Sequence, residues 1–74
     1  MDINYVVYEI GHETNHRWQK VATFEHAIEA VALSQDLQMA NLADKEIGAY
    51  DPNYRTRVKV VMPGRELNIE VNVG

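Results

Sequence analysis

Polar and apolar residues alternate with a period of two in the last third of the chain, over residues 55–62 and again over residues 66–73. This period is typical of β-strands that bury one face, and the Pro63-Gly64 pair between the two segments marks a turn. We therefore predict a C-terminal β-hairpin.

The alternation also predicts the register of this hairpin. If Met62 pairs with Arg65, the alternating apolar side chains of both strands fall on one face, and a shift by one residue would separate them. The same register places Arg57 opposite Glu70, which is a favourable cross-strand pair.

A second hairpin is predicted at the start of the chain. Residues 3–10 are mostly β-branched or aromatic and are followed by Gly11, which is typical of a strand that ends in a turn. Both faces of this strand are largely apolar, so we expect it inside the sheet. A polar loop over residues 11–16 then leads to a second strand over residues 17–23.

An amphipathic helix is predicted after this hairpin, with the Thr23 hydroxyl as its N-cap. It ends near Gln38 or continues to about Glu46, before the connector of residues 47–54. Leu33 and Leu37 lie on the opposite side from the predicted core stripe, where they could contact a partner. That core stripe consists of Phe24, Ala27, Ile28 and Val31.

Together these elements predict an α+β fold of ββαββ type: a single antiparallel four-stranded sheet with one helix packed on one face. At 74 residues, we expect one domain over residues 1–74. The chain has no cysteine, no apolar run long enough to span a membrane and no basic leader, so we expect a soluble cytoplasmic protein.

Charge is distributed unevenly along the chain. Residues 1–54 have a formal charge of −6, and the remaining residues have a charge of +2. The bases of the second segment form a basic stripe that could bind nucleic acid, namely Arg55, Arg57, Lys59 and Arg65. No aromatic residue follows position 54, and Glu66 and Glu70 offset the stripe, so a solvated outer face is the favoured interpretation and nucleic acid is not the expected partner.

The loop of residues 12–16 reads His-Glu-Thr-Asn-His and matches the H-E-x-x-H pattern of zinc metallohydrolases. That pattern requires an α-helix, so that His12 and His16 share one face and Glu13 acts as the general base. Gly11 and the flanking strands favour a turn instead. We therefore predict no enzyme, metal or cofactor; the alternatives are a metallohydrolase-like site and a loop that binds a metal adventitiously.

Two aromatic residues of the connector, Tyr50 and Tyr54, flank Asp51 and Pro52. Aromatic side chains in a loop often anchor a protein interface, although they could equally cover the end of a small core. The predicted partner contacts are therefore Tyr50, Asp51, Tyr54, Leu33 and Leu37.

Residues 21–30, which read VATFEHAIEA, resemble the junction between strand and helix in small phage-encoded proteins of β-β-α-β type. Families of this kind inhibit the host RNA polymerase or block defence systems such as CRISPR. The resemblance implies a small non-catalytic protein that inhibits or modulates a larger host protein. The two edge strands of a four-stranded sheet could also pair in a homodimer.

Overall fold

The computed structural model describes residues 2–71. Its single antiparallel sheet has the strand order β2-β1-β3-β4, and one α-helix packs on one face, which confirms the predicted ββαββ fold. The elements are β1 (Asn4–Ile10), β2 (Gln19–Phe24), α1 (Ala27–Ala43), β3 (Arg55–Met62) and β4 (Arg65–Glu70). Short 3-10 turns occupy His12–Thr14 and Asp44–Ile47.

Strand β1 lies inside the sheet because it pairs with both β2 and β3. Val7 is opposite Ala22 on one side and Val58 on the other. The predicted internal position of this strand is therefore confirmed.

The predicted register of the C-terminal hairpin is confirmed, with Met62 opposite Arg65 and Arg57 opposite Glu70. The predicted continuation of the last strand to Val73 lies outside the described residues. Because α1 packs mainly across β1, β2 and β3, Leu67 and Ile69 of β4 remain 43% and 47% exposed.

The core is small and built largely from valine and alanine. Val7, Ala30, Val58 and Val71 form its buried cluster, with Tyr5, Phe24, Val31, Leu33 and Leu37 packed around them. Ala30 has no exposed surface, and its small side chain lets α1 approach the sheet closely.

The predicted start of the helix is wrong. Thr23 lies in β2 opposite Val6, and Phe24 lies opposite Tyr5, so the strand extends where the helix was expected. The helix begins after His26, which makes no capping bond with its side chain. Pairing with β1 supplies hydrogen bonds to this segment that a local capping argument does not consider.

The predicted core stripe of the helix is confirmed only in part. Phe24, from β2, and Val31 pack on the core, but Ala27 and Ile28 are exposed, and Ala30 and Ser34 are fully buried instead. Leu33 and Leu37 were predicted to lie on the side of the helix away from the core. They pack against the core cluster instead. Without Phe24 in the helix, the small residues Ala30 and Ser34 decide which face meets the sheet.

A buried polar cluster connects α1 to β3. The Ser34 hydroxyl donates to Thr56 Oγ1 at 2.7 Å, and Gln38 Nε2 donates to the same oxygen at 2.6 Å. Gln38 also donates to the carbonyl oxygen of Val71. These bonds satisfy polar groups that would otherwise be costly to bury.

The helix ends at Ala43 and passes into the 3-10 turn, which is followed by Gly48 with φ of 73°. Within residues 2–71, no helix is long and apolar enough to cross a membrane.

Candidate functional site

The loop that carries the His-Glu-Thr-Asn-His sequence is a hairpin loop, as predicted, with one 3-10 turn over His12–Thr14. Asn15 and His16 have φ of 54° and 58°, which places both in the left-handed region and ends the turn. The His16 amide donates to the carbonyl oxygen of Gly11 at 2.9 Å. The segment therefore lacks the α-helix that the metallohydrolase arrangement requires.

The two imidazoles nevertheless lie close together. The ring centroids of His12 and His16 are 5.1 Å apart in an edge-to-face arrangement. Among residues 2–71, no group of three or more histidine, aspartate or glutamate side chains is placed to hold a metal ion.

Asp51 joins this loop to the connector. Its Oδ2 accepts from the His12 amide and its Oδ1 from the Asn53 amide, both at 2.9 Å. Asn41 Nδ2 donates to the carbonyl oxygen of Asp51 at 2.9 Å, and the Asp51 amide donates to Asn41 Oδ1 at 3.0 Å. The hairpin loop, α1 and the connector therefore meet at Asp51, a residue that is only 6% exposed.

Gly11 is required by this close approach. A Cβ atom at Gly11 would lie 2.8 Å from Asp51 Oδ2 and 3.0 Å from Tyr54 Cδ1. Its φ of 173° is ordinary extended backbone, so the reason for glycine here is steric and not conformational.

Burial raises the pKa of Asp51, but the backbone N–H groups of Asn53 and His12 and the charges of His12 and His16 outweigh this effect and lower it. His12 Nε2 lies 3.6 Å from Asp51 Oδ1. Asp51 is thus held as a carboxylate by hydrogen bonds that only the folded chain provides.

We expect the ionised Asp51 side chain to stabilise the folded protein at neutral pH and to lose this effect in acid. Because its folded pKa lies below the ordinary value of 3.8, its contribution is complete above that value and is lost as the pH falls through the folded pKa. At about pH 7, Asp51→Asn should therefore unfold several degrees below the wild type, and this difference should shrink below about pH 4. Thermal unfolding followed by circular dichroism measures the difference at each pH.

The exposed Asp36 provides the matched control, since Asp36→Asn makes the same chemical change outside the cluster. Its effect on the unfolding temperature should be small throughout the pH range. A difference between wild type and Asp51→Asn that stays constant into strong acid would contradict the proposed role of the Asp51 charge.

Tyr54 lies beside this cluster and donates to Glu9 Oε1 at 2.8 Å. Burial, this hydrogen bond and the negative charges of Glu9 and Glu13 raise the pKa of Tyr54 well above its usual range. The hydroxyl therefore stays protonated and links β1 to the connector.

A cleft of about 260 Å³ opens between the hairpin loop, α1 and the connector. Its polar lining is mainly carboxylate, from Glu9, Glu13, Asp44 and Asp51, and its apolar lining includes Leu37 and Tyr54.

The structure brings together only some of the residues that the sequence predicts as partner contacts. Leu37, Asp51 and Tyr54 line the cleft, while Leu33 packs on the core. Tyr50 lies under Lys45, whose Nζ is 4.6 Å from the ring centroid. Their role in binding a partner stays a prediction.

Sequence reasoning missed that Glu9, His12 and Asn41 belong to the same site. The only local signal was Gly11 at the end of β1, whose lack of a side chain indicates a close approach. The residue that approaches Gly11 is Asp51, which is 40 positions away, so no local sequence pattern identifies it.

The predicted basic stripe is divided between the two faces of the sheet. Arg65 is opposite Met62 and belongs to the helix side, while Arg55, Arg57 and Lys59 alternate onto the face away from α1. We call this the open face. Arg57 is opposite Glu70 as predicted, but the two form no ion pair within 4 Å, and the guanidinium carbon of Arg57 lies 4.2 Å from the centroid of the Trp18 ring.

Three comparisons with known proteins find no match: no family model fits this sequence, no curated protein aligns with it, and no solved structure matches its fold.

Proposed function

We propose that this protein is a small non-catalytic protein-binding module that docks through the outer side of α1. The observation that carries the proposal is that α1 is apolar on both sides. Its sheet side contributes Ala30 to the core, while Ile28 and Met39 on the outer side are 78% and 56% exposed. Large apolar side chains exposed together on the outer side of a helix indicate a surface that another molecule covers.

The exposed apolar residues follow one another along a single face. Positions 28, 32, 35, 39 and 42 recur at intervals of three and four residues, which places them on one side of an α-helix. We call these residues the outer stripe: the apolar Ile28, Ala32, Met39 and Leu42, with the polar Gln35 between them. Ile47, in the following 3-10 turn, is 77% exposed, so apolar surface continues beyond the end of α1.

Acidic side chains border the outer stripe. Glu29, Asp36 and Glu46 are exposed, and these residues belong to the segment of the chain with a net negative charge. An apolar stripe with an acidic border is complementary to an apolar groove bordered by lysine or arginine. The resemblance to phage-encoded inhibitors adds the expectation that the partner is a larger host protein whose surface this module covers.

A photo-cross-linking experiment tests the proposal. A benzophenone amino acid at Met39 should give one adduct with a larger protein in a host lysate. The same group at Val21, which is 38% exposed on β2, is the control and should give none. With the purified partner, Met39→Glu should weaken binding about tenfold or more, since exposed apolar anchors carry most of the energy of such interfaces.

Equal adducts from both positions would indicate non-specific contact and would contradict the proposal. So would an adduct with twice the mass of the chain, because the partner would then be a second copy and not a larger protein. Val21→Glu should leave the affinity for the purified partner unchanged.

A further inference from the structure

The open face of the sheet combines aromatic rings with cations. The antiparallel register sets Tyr8 opposite Arg57 and Val6 opposite Lys59. The Trp18 ring reaches the same area: its centroid is 4.2 Å from the guanidinium carbon of Arg57 and 6.0 Å from that of Arg55. The rings absent from the C-terminal segment are therefore supplied by the N-terminal hairpin.

A second contact of the same kind lies next to this one. Lys59 Nζ is 5.2 Å from the centroid of the Tyr8 ring, and Lys20 of β2 is opposite Tyr8. Rings and cations thus alternate across three neighbouring strands. Such contacts hold long side chains in place and keep their charges on the surface of the sheet.

The charge of the open face is opposite to that of the rest of the molecule. Its four cations, Lys20, Arg55, Arg57 and Lys59, face two carboxylates, Glu66 and Glu70, which alternate onto the same side of β4. The other three cations of the chain are outnumbered by nine carboxylates. The negative net charge of the protein therefore belongs to the helix side and the loops.

Three of these four cations form no ion pair with a carboxylate. In the part of the chain that the structure describes, Lys59 pairs with Glu66 at 3.6 Å, whereas Lys20, Arg55 and Arg57 form no ion pair within 4 Å. Arg57 Nε is buried without a hydrogen-bond partner among residues 2–71, so an anion would be bound by the other two nitrogens of its guanidinium group. Arg57 lies on the Trp18 ring and the exposed Arg55 at its margin, and neither contact neutralises the positive charge.

Open space lies next to the tryptophan. A cleft of about 190 Å³ borders Trp18 and Arg55, and it extends to the helix side of the sheet, since Gln38, Thr56 and Val71 also line it, with Tyr54 and Glu70. The indole ring and the Arg55 side chain therefore border open space at this end of the sheet.

We propose that the open face binds single-stranded nucleic acid, with one base stacked at Trp18 and the phosphates on either side of it bound by Arg55 and Arg57. Aromatic residues on a sheet stack unpaired bases, and neighbouring cations bind the backbone. A single strand is required, because the bases of a duplex are stacked on each other and cannot reach the ring. This site does not depend on the protein partner proposed for α1, which lies on the other side of the sheet.

Trp18 is the only tryptophan in the chain, so its fluorescence reports directly on the site. At about 50 mM salt, titration with an oligothymidylate of about 15 nucleotides should quench this fluorescence and saturate. The logarithm of the affinity should fall with the logarithm of the salt concentration with a slope of about −1.5 to −3, corresponding to about two to four phosphate contacts.

Variants assign the binding to this face. With a labelled oligonucleotide and fluorescence anisotropy, Trp18→Leu should weaken binding about fivefold or more through loss of stacking. The exposed Arg55→Gln should weaken it and make the salt dependence less steep. Lys45→Gln, which removes the same charge on the helix side, is the matched control and should change neither quantity. Unfolding temperatures of all variants identify any loss caused by misfolding.

The proposal is overturned if neither fluorescence nor anisotropy changes at about 100 µM oligonucleotide in low salt. It is also overturned if Lys45→Gln weakens binding as much as Arg55→Gln, since net charge alone would then explain the effect. Inorganic polyphosphate that binds as tightly as the oligonucleotide, with no effect of Trp18→Leu, would reduce the site to a general anion site and would equally overturn it.

Discussion

Ala30→Leu is expected to destabilise the protein by about 1 to 3 kcal/mol, which corresponds to a fall of roughly 5 to 20 °C in Tm for a domain of this size. Ala30 is fully buried between α1 and the sheet. A leucine there would force the helix away from Val7 and Val58, because a close-packed interior has no space for three more carbon atoms.

Ala32→Leu provides the control for this experiment. Ala32 is exposed on the outer stripe, so the same substitution should change Tm by only a degree or two, within the usual range for surface changes. Thermal unfolding of the two variants thus measures the orientation of α1. Equal losses, or a larger loss for Ala32→Leu, would show that the helix meets the sheet through another face.

Thr56→Val is expected to cost about 1 to 3 kcal/mol, although the two side chains have nearly the same shape. The substitution creates no cavity, but it removes the oxygen that accepts from both Ser34 and Gln38. The Ser34 hydroxyl would then be fully buried with no acceptor, and desolvation of an unpaired polar group is the dominant cost. Chemical unfolding monitored by circular dichroism measures the loss.

A double-mutant cycle separates this cost from any general effect of valine. Adding Ser34→Ala removes the unpaired hydroxyl, so the double variant should be less destabilised than the two single variants combined. Thr23→Val, at an exposed position of β2, is the matched control and should change stability by less than about 0.5 kcal/mol. Additive losses in the cycle would mean that Ser34 and Thr56 do not interact.

The two proposed binding surfaces lie on opposite sides of the molecule and carry opposite charge. The outer stripe is apolar with an acidic border, whereas the open face is aromatic and basic. Because the sheet separates them, each can be occupied without the other. The cross-linking and oligonucleotide experiments therefore test independent properties of the protein.

The His-Glu-Thr-Asn-His segment shows how far a sequence motif can be interpreted. Local chemistry predicted a turn correctly, since Gly11 and the neighbouring strands disfavour a helix. The contact between the His12 amide and Asp51 was not predictable, because it joins residues that are 39 positions apart. This loop therefore binds the connector through Asp51, while the imidazoles of His12 and His16 remain exposed.

The fold itself was largely determined by local pattern. Alternation with a period of two identified β3 and β4 and determined their register, while β-branched and aromatic composition identified β1. These features are predictable because each side chain of a strand must point either to the core or away from it. The doubly apolar character of β1 similarly predicted its internal position.

The orientation of α1 and the composition of the open face were decided only by the tertiary structure. Apolar residues occur on both the buried and the outer side of the helix, and polar residues do too, so the sequence does not select its buried side; the close fit of Ala30 and Ser34 against β1 and β3 does. Likewise, Trp18 precedes β2 and Arg57 lies in β3, so only the folded sheet brings the guanidinium carbon within 4.2 Å of the ring centroid. Contacts of this kind depend on strand order and packing, which arise from energies summed over the whole chain and leave no periodic signal in the sequence.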